Sequence, residues 1–83
     1  MHIYSVIDTR DADSQVTLRD GEGHLHFARA TSQMPVLGGR LEGGRAAPGF
    51  AMLLCPDTGR VVRLIFDRVG GGESLQDGRW SQA

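Results

Sequence analysis

The sequence predicts an all-β domain: a small five-stranded barrel, SH3-like or OB-like, or a compact antiparallel sheet with Gly-rich loops. Two segments, 15–30 and 50–69, each place β-type residues on both sides of a turn-forming cluster. Twelve glycines, several of them paired, interrupt the chain where a helix would need continuity. No amphipathic stretch runs longer than two helical turns. Short strands in so few residues must close, or nearly close, to bury one core.

The elements follow in order. Ile3-Tyr4-Ser5-Val6-Ile7 is rich in β-branched and aromatic types, and the polar run from Asp8 to Ser14 predicts its end. Val16 and Leu18 then alternate with polar neighbours. Beyond Asp20-Gly21-Glu22-Gly23, Leu25 and Phe27 alternate with His24 and His26. Alternation on both sides of an Asp-Gly turn predicts a hairpin, with Leu25 and Phe27 inward and the histidines on a solvated face. Met34-Pro35-Val36-Leu37 reads as a short strand that proline confines to an edge or a strand start. Gly38-Gly39 and Gly43-Gly44 bracket a bend around Leu41.

The second hairpin joins Phe50–Cys55 to Arg60–Val69 through Pro56-Asp57-Thr58-Gly59, where proline presets φ and glycine takes the left-handed position. In its second strand Val62, Leu64 and Phe66 share one face, while Val61 and Ile65 flank Arg63 on the other. The expected core is Val16, Leu18, Leu25, Phe27, Leu53, Val62, Leu64 and Phe66. All three phenylalanines are assigned to it, which leaves Tyr4 and Trp80 as the aromatic residues available outside. Residues 1–69 read as one domain and 70–83 as a flexible, mostly polar tail carrying Leu75 and Trp80.

Composition narrows the function. The chain has 83 residues, room for one small core. Nine basic and ten acidic residues give a net charge of −1, which excludes a histone-like polyanion binder. Every basic residue is arginine, and lysine and asparagine are both absent. A GC-rich coding sequence explains that bias together with the glycine and alanine content, so arginine abundance alone signals no function. No apolar run approaches the ~18 residues of a membrane span. No signal peptide is visible, and a lone cysteine, Cys55, cannot build a disulfide framework. A reduced, cytoplasmic protein is the expectation.

Chemistry-bearing patterns are sparse. His24-x-His26 could offer two imidazoles to one ion, yet Leu25 and Phe27 claim the core side, and a third ligand would have to be His2, Cys55 or a carboxylate brought in by the fold. Asp8, Asp11 and Asp13 lack the glycine and closing glutamate of a calcium loop. Cys55 has no neighbouring base, and no serine sits in a nucleophile elbow. No catalytic residue, metal or cofactor is expected.

Two functions remain. The first is a non-catalytic protein-interaction or adaptor module, pairing with another protein or with itself, most simply as a homodimer, through Val61, Arg63, Ile65 and Trp80. The second is OB-like binding of single-stranded nucleic acid through Arg19, Arg29, Arg60, Arg63 and Arg68, with Tyr4 as a stacking residue.

Overall fold

The computed structural model describes residues 1–70. It is all-β, with six strands rather than five: β1 (His2–Arg10), β2 (Gln15–Asp20), β3 (Leu25–Ala30), β4 (Arg40–Gly43), β5 (Gly49–Cys55) and β6 (Arg60–Val69). All neighbours are antiparallel, and the order β1-β2-β3-β6-β5-β4 closes into a barrel through β4 and β1. Closure removes the exposed sheet edges that invite aggregation.

β1 is longer than the polar run from Asp8 predicts. Its backbone continues to pair with β2 through Asp8↔Thr17 and Arg10↔Gln15, after a bulge at Ile7. The bulge lets polar side chains remain at the rim while the ladder is kept. A short 3-10 turn, Asp11–Asp13, then reverses the chain, and Arg10 clasps Asp13 at 2.9 Å. Met34–Leu37 forms no strand. It belongs to the long β3–β4 connection, and the bend at 38–44 holds only the four-residue β4.

The core comprises Tyr4, Val6, Val16, Leu18, Ala28, Leu41, Leu53, Val62, Leu64 and Phe66. Six of the eight expected core residues are therefore inside. Leu25 and Phe27 are not, and the reason is turn length. A turn centred on Asp20-Gly21 would set Leu25 opposite Val16. In the structure the Asp20 N–H donates to the His24 carbonyl at 3.0 Å, enclosing Gly21, Glu22 and Gly23, with Gly23 at φ 87°. That longer turn sets Leu18 opposite His26 and Val16 opposite Ala28. An odd shift of register exchanges the two faces of a strand, so His26 and Ala28 turn inward.

The expectation for the aromatics is also reversed. Of the three phenylalanines only Phe66 is buried. Phe50 is exposed, and Tyr4 takes the interior place. Inside a narrow barrel large side chains need small ones opposite them. Tyr4 and Phe66 supply the bulk, and Ala28 and Ala30 make room on β3.

Gly43 lies at a close approach between β4 and β5. A Cβ there would collide with Leu53 Cδ2 in the core. Gly43→Ala is expected to cost ~1–3 kcal/mol, read as a lowered urea midpoint with unchanged slope.

Candidate functional site

The outer surface of β5 and β6 is built by direct cross-strand pairing. Phe50 lies opposite Ile65, Met52 opposite Arg63, and Leu54 opposite Val61. Directly opposed residues share a face, so these six side chains form one patch. The inward partners on the same strands, Leu53, Val62, Leu64 and Phe66, are buried. The outward set is left in water: Phe50 is 62% exposed, Met52 58%, Val61 54% and Leu54 39%. Ile65 is half-buried and Arg63 exposed. The patch continues across β4, where Glu42 pairs with Leu54, to β1, where exposed Ile3 pairs with Glu42. Among the described residues the side chains of Arg63 and Glu42 have no ion-pair partner.

Val61, Arg63 and Ile65 thus stand together on the outer face, joined by three β5 residues that the sequence reading assigned to an undivided apolar run. Phe50–Cys55 holds no polar residue, so nothing in the local sequence marks Phe50, Met52 and Leu54 as the outward set. Trp80 and Leu75 lie outside the described residues.

Of the residues considered for nucleic acid, Arg19, Arg29 and Arg68 share the outer face of β2, β3 and β6, whereas Tyr4 and Arg60 do not join them. Tyr4 is a correction: it is buried, its hydroxyl donates to the Gly44 carbonyl at 2.6 Å, and burial pushes its pKa up. Barrel closure takes this ring inside, so it offers no face for a base. Arg29 is tied to Asp67, the extra residue at a β6 bulge, at 3.1 Å. Arg60 donates to Gln33 Oε1 at 2.8 Å beside the β5–β6 turn. Arg63 belongs to the apolar patch, Arg19 lies opposite Leu25, and Arg68 opposite Phe27.

The histidine pair separates. His26 is 4% exposed, and its Nε2–H donates to Asp20 Oδ2 at 2.9 Å. His24 remains half-exposed with Nδ1 3.6 Å from Asp20 Oδ2 and 3.8 Å from Glu22 Oε1. The expected solvated His24/His26 face is corrected by the same register change that buries Ala28. Asp20, Glu22 and His24 are close enough to be drawn onto one divalent cation. Clusters of this kind also occur on hairpin turns without one, and here the carboxylate is already engaged. Asp20 Oδ1 accepts from the Glu22 and His24 backbone N–H groups at 2.9 Å each.

A cleft opens beside the patch, between the β3–β4 connection and the β5–β6 turn. Cys55 lines it at the end of β5, half-buried against the core. The Thr58 hydroxyl hydrogen-bonds the sulfur and holds the thiol below its usual pKa, outweighing the upward push of burial. None of the lining residues is a histidine to serve as base.

Compared with known proteins, the chain matches no family model, no curated protein and no solved structure. Function therefore rests on this geometry alone. No helix among the described residues is long and apolar enough to cross a membrane.

Proposed function

We propose that the protein is a non-catalytic interaction module that pairs with a second copy of itself through the outer face of β5 and β6. The observation that carries this reading is the joint exposure of Phe50, Met52, Leu54 and Val61 on adjoining strands. A contiguous apolar patch of this kind, rimmed by charge, is characteristic of an interface. Covering it releases ~25 cal/mol per Å² of apolar area before association costs are subtracted.

Charge complementarity favours a second copy as the occupant. Arg63 stands beside Met52 within the patch, and Glu42 stands beyond Leu54 at its β4 edge. A two-fold axis between them sets each Arg63 against the partner's Glu42, one contact made twice. The Arg63 stem packs on apolar neighbours while its head meets the acid.

Light scattering tests this. The full chain is expected to be a dimer at tens of micromolar, and Phe50→Glu a monomer. Arg63→Glu and Glu42→Arg should each weaken association about tenfold or more, and the double reversal should restore it. A full chain that is monomeric at hundreds of micromolar removes the reading. If that monomer pairs only when the chain ends at Gly72, residues 73–83, with Leu75 and Trp80, are the cover instead.

A further inference from the structure

We propose that the cleft between the β3–β4 connection and the β5–β6 turn is a binding site for a small apolar molecule ending in a carboxylate. Its volume, about 590 Å³, is that of an ordinary small-molecule site. Its floor reaches the core, since Val6, Leu41 and Val62 line it and are otherwise buried. Met34 and Val36 of the connection form one wall.

That wall is pinned to the barrel. The Gly38 N–H donates to the Val6 carbonyl at 2.8 Å, and the Val6 N–H donates to the Gly39 carbonyl at 2.9 Å. The Gly39 N–H closes the turn onto the Val36 carbonyl at 2.9 Å, leaving no space for a Cβ at Gly39. The cleft is thus preformed, and a ligand need not order it. Val36 stands at the rim 76% exposed, an apolar side chain that a seated ligand would cover.

The mouth selects the ligand's polar end. Arg40 and Arg60 both line the cleft against a single acid, Asp57, which leaves one positive charge to be met. Arg60 is oriented by Gln33. Among the described residues the Arg40 side chain has neither hydrogen bond nor ion pair. A planar guanidinium matches a carboxylate with two parallel hydrogen bonds, and one monoanion balances the site. The site stands apart from the self-pairing reading, sharing only Val61 with the β5–β6 patch.

Decanoate serves as the probe and decanol as its uncharged counterpart, each titrated into the full chain by calorimetry. Decanoate should bind one-to-one, at least about tenfold more tightly than decanol. Arg40→Gln should erase most of that margin and leave decanol unchanged. Val36→Trp, at an exposed position, should weaken both by narrowing the cleft, and Phe50→Glu should alter neither. Decanoate should also slow iodoacetamide labelling of Cys55. Circular dichroism confirms that each variant is folded. The proposal is overturned if decanoate does not bind up to millimolar concentration, binds no better than decanol, or keeps its margin in Arg40→Gln. Loss of binding in Phe50→Glu would seat the probe on the outer β5–β6 face and overturn it equally. So would a change in molecular mass on adding decanoate, which would give the cleft to a second copy.

Discussion

Replacing Phe66 with alanine is expected to lower stability by ~3–5 kcal/mol, the usual range for a buried ring removed from a core that collapses only in part. Phe66 is 3% exposed, and its ring meets His26 edge-on at 6.1 Å and Tyr4 at 6.5 Å. These three rings fill the part of the barrel where β3 contributes only alanines besides His26. Small domains bury a modest fraction of their surface and have ~5–15 kcal/mol in total, so the loss takes a large share of the fold. Urea unfolding followed by circular dichroism measures it, with Phe66→Leu as a volume-sparing control that should cost less. A loss below ~1 kcal/mol for the alanine variant would place the ring outside the packed interior.

Asp20→Ala is expected to cost ~2–4 kcal/mol, because one carboxylate serves three donors. Its removal leaves the Glu22 and His24 N–H groups without this acceptor, and the His26 Nε2–H without a partner in the interior. His26 Nδ1 already has none among the described residues. The same carboxylate predicts a pH dependence. Burial pushes the Asp20 pKa up, but the His26 hydrogen bond, the two backbone N–H groups and the electrostatic attraction of His26 together hold it below its usual value. A depressed folded pKa means stability fully present above the unfolded value, about 3.9, and lost as pH falls through the lower folded value. Urea midpoints should therefore fall below about pH 4, and Asp20→Asn should flatten that fall. An unchanged acid slope in Asp20→Asn would assign the effect to other carboxylates. The exposed Arg10–Asp13 pair is a poor candidate, since solvent screens it.

How far the sequence could be read varies by element. Both hairpins were legible because period-two alternation and turn chemistry are local signals. The β5–β6 patch was half legible. Arg63 marks the outward face of β6, which places Val61 and Ile65 beside it, but the run Phe50–Cys55 has no polar residue to show which of its faces is outward. The cleft was not legible. Its walls come from residues 6, 33–41 and 55–62, which meet only when β4 closes onto β1. Nor does the cysteine's local sequence identify Thr58 as its hydrogen-bond donor, since the turn must first bring the hydroxyl back to the sulfur.

By itself the sequence determined an all-β chain, the two hairpins, the two faces of β6 and six of the residues that fill the core. These depend on alternation within a strand and on turn residues next to it, interactions that reach only a few positions. Tertiary structure alone decided which face of β3 turns inward, that Tyr4 and not Phe50 fills the lumen, and that His26 is buried on Asp20. Those outcomes depend on register across strands and on volume inside a closed barrel. A turn longer by one residue reverses a strand's faces without changing its composition, and closure admits the rings whose bulk is matched by alanines opposite. Neither condition exists until the strands have paired.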